Sequence, residues 1–243
     1  MALSQAGGIP ILMYHFLGDA PTVDDIPFYV SQSSFHKQMR FLKLGGYRAI
    51  TMSQLVSAIQ DNQEIPKRSV VITFDDGHES FVRIGVPILE IFRYTATMFI
   101  ITSRVDKPGY LSSENIQTLH RRGMHFESHS HTHPIITELP EAKAELEINE
   151  SKVILESLLD SPVRFFAYRG GHYNEKIQAM LQCAGYTAAA CSKPGLNSKG
   201  SDLFALRRMG IRGNDDLGNF ARKLLGNSVK RRSIACLRHL ARV

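Results

Sequence analysis

Short apolar runs alternate with longer amphipathic segments along most of this chain. "IPILMYH" is a strand candidate near the start. In "SSFHKQMRFLKLGGY", Phe35, Met39 and Leu42 recur at helical spacing between a Ser cap and a glycine stop. "YRAIT" reads as a strand and "MSQLVSAIQ" as a helix. "SVVITFDD" is a continuous β-branched apolar run, the pattern of a strand buried on both faces. A helix near 80–94, a strand "TATMFII", a helix "SSENIQTLHRRG" and a strand "MHFES" follow. The series ends with a long helix over about 141–159, strand "VRFFAY", helix "NEKIQAMLQCAG" and strand "YTAAAC".

Strands that alternate with helices of this length predict parallel βαβ units. With about seven strands, either a closed barrel or an open doubly wound sheet satisfies the pattern. No linker interrupts it before about Gly213. The expectation is one domain over 1–213, followed by a basic helical extension over 214–243. In parallel α/β folds, chemistry collects at the C-terminal ends of the strands. Four candidate strands end there in reactive residues: Tyr14-His15, Asp75-Asp76-Gly77, the run "SHSHTHP", and Arg169-Gly170-Gly171-His172.

Composition adds limits. The chain has 243 residues, 43% of them hydrophobic, enough to bury a full core. Its apolar runs are too short to span a bilayer. The start lacks the basic lead and cleavage site of a signal peptide, so a cytoplasmic location is expected, or a periplasmic or extracellular one if a leader has been removed. Three widely spaced cysteines do not suggest a disulfide framework. The net charge of +6 is concentrated late. Arg222, Lys223, Lys230, Arg231, Arg232, Arg238 and Arg242 have no acid among them. Such a tail is a solvated helix or a patch for a membrane surface or an acidic protein; without interleaved aromatics, nucleic acid is not expected.

The histidines and the paired carboxylates carry the chemistry. In an extended chain His129 and His133 would lie about 13 Å apart, too far to share an ion. A helical turn brings positions i and i+4 to about 5–6 Å, sends His131 elsewhere, and must end at His133 because Pro134 follows. Two histidines and one carboxylate form a metal site with open positions for water and substrate. Adjacent residues on a strand face opposite ways, so one Asp can face the metal and the other the pocket beside it.

"TFDDG", "HSHTH" and "FFAYRGGHYN", in this order and spacing, resemble the NodB-homology polysaccharide deacetylases, carbohydrate esterase family four. "ILMYH" and "QMRFLKLGGYRAIT" resemble the subgroup that de-N-acetylates exopolysaccharides such as poly-N-acetylglucosamine. The likeness covers roughly residues 9–213. It implies a deformed (β/α)7 TIM-like barrel and one divalent metal, Zn above Co, Ni, Fe or Mn. It also implies hydrolysis of an N-acetyl amide on a polysaccharide or oligosaccharide. By the same resemblance Asp75 is the general base, while Asp76, His129 and His133 hold the metal. Gly170 offers a backbone N–H to the oxyanion, and Tyr168, Arg169, Gly170 and Arg208 are assigned to substrate binding.

Two departures stand out. The family's third motif sets an Arg that orients the catalytic Asp before a Pro pair; here the prolines are absent, and either Arg169 or Arg208 is left for that role. The late "LxxH" motif that supplies the general acid is also missing. In the subgroup the first-strand histidine takes that role, here His15. His78, His131 and His172 are further groove candidates. Three other functions are compatible with parts of this pattern: an amidohydrolase for a small cyclic amide, a non-heme iron oxygenase, and a sugar-binding relic. The Asp pair argues against the last two, because neither needs a base beside the metal.

Overall fold

The structure, a computed structural model, describes residues 8–61 and 66–226. Most of the basic tail, including Lys230 to Arg242, lies outside the described residues. The strands are β1 (Ile11–Tyr14), β2 (Phe16–Leu17), β3 (Tyr29–Val30), β4 (Arg48–Ala49), β5 (Ser69–Phe74), β6 (Thr97–Ile100), β7 (His125–Ser128), β8 (Phe165–Ala167), β9 (Ala188–Ala190) and β10 (Met209–Gly210). The helices are α1 (Gln32–Leu44), α2 (Met52–Gln60), α3 (Val86–Phe92), α4 (Ser113–Arg121), α5 (Glu141–Leu159), α6 (Glu175–Cys183) and α7 (Leu217–Leu224).

The main sheet is parallel throughout, in the order β10-β1-β5-β6-β7-β8-β9, with β4 beside β5. The segment after β9 joins its two edges. Leu206 bridges in parallel to Ala190, and three residues later Met209 pairs with Leu12 of β1. The sheet is thereby curled into a deformed barrel. All six residues of β5 are buried, as its unbroken apolar run predicts.

Alternation along each strand divides the interior into two cores. Leu12, Ile72, Phe74, Met98, Phe126 and Phe166 face the helices in the larger cluster. Ile11, Val71, Phe99, Phe165, Ala167, Ala188, Ala190 and Leu206 form a second cluster, on which α2 packs Leu55, Val56 and Ile59. Each such fully buried Leu, Ile, Val or Phe contributes about 1.5–3 kcal/mol relative to exposure. Asp75 follows Val71 and Thr73 in the same alternation, so it continues the β5 face that contributes to the smaller cluster.

The helices start where short polar side chains can cap them. Ser31, Ser112, Asn174 and Asp216 cap α1, α4, α6 and α7, and Thr51 with Gln54 forms a capping box on α2. The continuous helix expected near 80–94 is divided. Residues Phe81–Gly85 wind as a π-helical turn, and the α-helix begins only at Val86, with Pro87 in its first turn. Proline has no N–H to donate, and inside one longer helix its ring would meet the carbonyl four residues earlier. A small parallel pair, β2 with β3, and the strand β10 have no counterpart in the expected pattern.

Candidate active site

The rim of the barrel gathers the predicted groups from separate strands. β1 and β5 pair with Tyr14 beside Phe74, and Asp75 donates its backbone N–H to the Tyr14 carbonyl at 3.0 Å. His15 and Asp75 are therefore next-neighbours in register at the two strand ends. Immediately after Asp75 the chain turns sharply. Asp76 has φ 75° and Gly77 φ 79°. A left-handed conformation is costly for a residue with a Cβ, so Asp76 holds strain that the surrounding fold must offset. The turn sends the two carboxylates different ways.

Asp75 faces Arg208. The guanidinium meets it as a fork, Nη1 to Oδ1 at 2.7 Å and Nη2 to Oδ2 at 2.8 Å. Arg208 is itself fully buried, with Nε donating to the Cys191 carbonyl at 3.1 Å and its plane over the Phe99 ring. Burial alone would raise the Asp75 pKa. The Arg208 charge and hydrogen bonds, with His129 and His15, outweigh it and hold the carboxyl at about 2. Asp75 is thus ionised at neutral pH, pinned, and 4.0 Å from His129 Nε2.

Asp76 faces the histidines. Its Oδ1 lies 3.6 Å from both His129 Nε2 and His133 Nε2, which are 3.1 Å from each other. Donor atoms sharing one ion at about 2.1 Å stand roughly 3.0–3.4 Å apart; the two nitrogens fall inside that range and the carboxylate oxygen about 0.2 Å beyond it, close enough for a small shift to seat a single cation. His129 Nδ1 points at the Ala167 carbonyl oxygen at 2.7 Å. That contact places the proton on Nδ1 and leaves the Nε2 lone pair aimed inward, the arrangement that metal-ligating histidines use. Burial first, then the neighbouring His129, Arg169 and Arg104, pushes the His133 pKa down to about 3, so its ring is neutral at pH 7. Two imidazole nitrogens and a carboxylate oxygen thus converge within 3.1–3.6 Å of one another. The residues fit a divalent metal.

The loop that presents these histidines is not the helical turn expected. Ser130 and His133 instead take left-handed conformations, φ 64° and 67°, and no helical turn forms between them. Pro134 excludes right-handed helix at His133, and hydrogen bonds hold the alternative. His133 N–H donates to Ser130 Oγ, and the N–H groups of His131 and Thr132 both donate to Glu147 Oε2, at 2.9 and 2.7 Å. Glu147 comes from α5 and shapes the loop that carries the two histidines; its sequence position, mid-helix among other charges, carried no sign of this. His131 leaves the site as expected, bonded to Thr102 Oγ1 at 2.9 Å.

The arginine ambiguity resolves in favour of Arg208. Arg169 is exposed and donates to the His133 carbonyl at 2.9 Å. The assignment of Arg208 and Tyr168 to substrate binding needs correction. Both side chains are fully buried, Arg208 spent on Asp75 and Tyr168 donating its hydroxyl to the Phe204 carbonyl. Gly170 sits on the rim with φ 60°, and a Cβ there would meet the His172 ring at 2.9 Å. At neighbouring Gly171 a Cβ would come within 2.6 Å of the Ser192 backbone nitrogen, which explains the glycine pair.

Residues 62–189, just over half of the chain, match the polysaccharide deacetylase family. The chain belongs to that family. Among solved structures, the Streptococcus pyogenes deacetylase PplD in complex with acetate superposes on this polysaccharide deacetylase domain with a TM-score of 0.84. It is 25% identical, over 90% of this chain and 98% of PplD. A Staphylococcus aureus poly-beta-1,6-N-acetyl-D-glucosamine N-deacetylase is 27% identical over 173 residues, 65% of this chain and 59% of that protein. Bacillus subtilis YxkH, whose own assignment as a polysaccharide deacetylase is provisional, is 25% identical over 84% of this chain and 71% of its own length. The deformed barrel is the fold shared with PplD.

Proposed function

We propose that this deacetylase hydrolyses N-acetyl groups on an N-acetylhexosamine-containing polysaccharide or oligosaccharide, with one divalent ion, zinc above others, held by Asp76, His129 and His133. The observation that carries the reading is the buried Arg208–Asp75 fork set directly beside that triad. A binding-only site has no use for an ionised, oriented carboxylate next to three metal ligands. The S. aureus relative, named for poly-beta-1,6-N-acetyl-D-glucosamine, supports the substrate class.

A divalent ion bound there would supply Lewis acidity, lowering the pKa of a water and polarising the amide carbonyl. The chain's own groups do the rest. Asp75, fixed by the fork, accepts the proton of the attacking water at the oxygen that faces His129. The Gly170 N–H is offered to the oxygen that gains charge as the carbonyl becomes tetrahedral. His15, beside Asp75 on the rim, donates a proton to the amine nitrogen as the C–N bond breaks. Arg169, exposed at the His133 carbonyl, is left free to meet the sugar.

Acetate release from N-acetylglucosamine oligomers, measured alongside metal content by elemental analysis, tests the reading. The expected result is one equivalent of metal and acetate formation that stops on chelation and returns with added zinc. Metal-replete protein that releases no acetate from any such oligomer would overturn it.

A further inference from the structure

Both carboxylate oxygens of Glu147, half-buried in the middle of α5, are used on the two residues next to His133 in the histidine turn. Oε2 accepts the N–H groups of His131 and Thr132 at 2.9 and 2.7 Å, and Oε1 accepts the Thr132 hydroxyl. The rest of the turn is tied elsewhere. The Thr102 and Ser103 N–H groups donate to the Ser130 and His131 carbonyls at 3.2 and 3.0 Å, and Arg169 donates to the His133 carbonyl at 2.9 Å.

We infer that Glu147 is a positioning residue for the metal: by fixing this turn it sets how tightly Asp76, His129 and His133 hold a divalent ion. The role rests on the metal site proposed above. The two histidines are supported differently. His129 follows β7, its N–H donates to the Ile100 carbonyl at 2.8 Å, and its ring is fixed by the contact of Nδ1 with the Ala167 carbonyl. A metal-ligating histidine ordinarily has such an outer partner for its second nitrogen. The His133 ring has no hydrogen bond outside the site among the described residues, so its place depends on its backbone. That backbone is left-handed at His133, as it is at Ser130, a conformation costly for residues with a Cβ. Such a turn keeps its form only while outside contacts hold it. A carboxylate that accepts from two successive N–H groups makes the strong, charge-assisted kind. Loss of those bonds frees the turn to relax and carries His133 Nε2 away from His129 Nε2 and Asp76.

A carboxylate that caps a turn can instead add only to the stability of the fold. Glu150 supplies the comparison. It stands three residues further along α5 and lies 3.7 Å from His131 Nε2, so it brings the same charge to the same loop without the bonds to its backbone.

The test is to titrate metal-free wild type, Glu147→Gln, Glu147→Ala and Glu150→Gln with Zn²⁺ in competition with a chromophoric chelator. Urea midpoints are measured with and without zinc on the same samples. Ala is the better helix former, so α5 is retained. Glu147→Gln keeps the size and one acceptor oxygen, and it carries the test if Glu147→Ala fails to fold. Zinc Kd is expected to rise about tenfold in Glu147→Gln and about ten- to a hundredfold in Glu147→Ala, and to stay at the wild-type value in Glu150→Gln. A tenfold rise removes about 1.4 kcal/mol of the stabilisation that excess zinc confers, so the gap between the two midpoints narrows. Glu147 variants whose midpoints fall equally with and without zinc, at unchanged Kd, would overturn the inference. So would an equal rise in Kd in Glu150→Gln, because charge alone would then account for the effect. Wild-type protein that binds no zinc overturns the metal site and this role together. Zinc binding that the Glu147 variants weaken, with no acetate released from N-acetylglucosamine oligomers, upholds the role and counts against the hydrolase reading alone.

Discussion

Arg208→Lys isolates the contribution of the fork from that of the charge. Lys keeps one positive charge but not two parallel donors in one plane, so it cannot hold both Asp75 oxygens as Arg208 does at 2.7 and 2.8 Å. The loss has two readouts. The first is stability. Asp75 titrates at about 2 in the fold against 3.8 for an unperturbed carboxyl. That depression is worth about 2–3 kcal/mol at neutral pH, a contribution present above pH 3.8 and lost as pH falls through 2. Weakening the fork should remove about 1–2 kcal/mol of it at pH 7, seen as a lower urea midpoint with an unchanged slope. The second readout is turnover. A base displaced by about 1 Å costs on the order of a hundredfold, so kcat/KM should fall that far with metal content intact. Arg208→Met goes further. It removes the fork from a buried carboxylate, costs about 3–5 kcal/mol, and should raise the Asp75 pKa, because burial is then opposed only by His129 and His15. An Arg208→Lys enzyme with wild-type kcat/KM would refute the reasoning, since the fork would then have no part in orienting the base.

Three further outcomes follow from the geometry. His133→Ala should lose most of the bound metal by elemental analysis, because it removes one of three converging donors; full retention would contradict the ligand assignment. His15→Ala should depress turnover of the amide more than that of an activated acetate ester, whose leaving group needs no proton; equal losses would make His15 a packing residue against Phe28. Glu127 is buried, and burial raises its pKa to about 8 despite hydrogen bonds from the Arg164 and Phe165 N–H groups. A raised folded pKa means its contribution is full below about 4.5 and is lost as pH rises through 8. Glu127→Gln, which can still accept both bonds, should therefore flatten the decline in stability between pH 5 and 9 in denaturant titrations, and a curve parallel to wild type would count against the shift.

Much of this was legible in the chain itself. The β5 run, the α5 boundaries and the Asp pair at a strand end lie where the sequence pattern placed them; the two histidines four apart converge as expected, but not through the expected helical turn. Local chemistry dominates at those positions, and local chemistry is what a sequence displays. The misses share a different cause. β10 is two residues long with two arginines just before it, so nothing in "LFALRRMGI" marks it as the strand that closes the barrel. Without that closure Arg208 cannot be placed opposite Asp75, 133 positions earlier. The left-handed geometry at Ser130 and His133 depends on Glu147 from another element, and periodicity cannot show it. The pairing of β2 with β3 across an irregular loop is likewise a contact made only by the tertiary fold.

The central claim is that Asp75 is the base beside a metal held by Asp76, His129 and His133. Asp75→Asn tests it most directly, with metal content and acetate release measured on one preparation. Asn keeps the size of the side chain and an acceptor for Arg208 but cannot take a proton. The account predicts a full equivalent of metal and a loss of turnover of about a hundredfold or more. Turnover within a few-fold of wild type, with the metal in place, would contradict it.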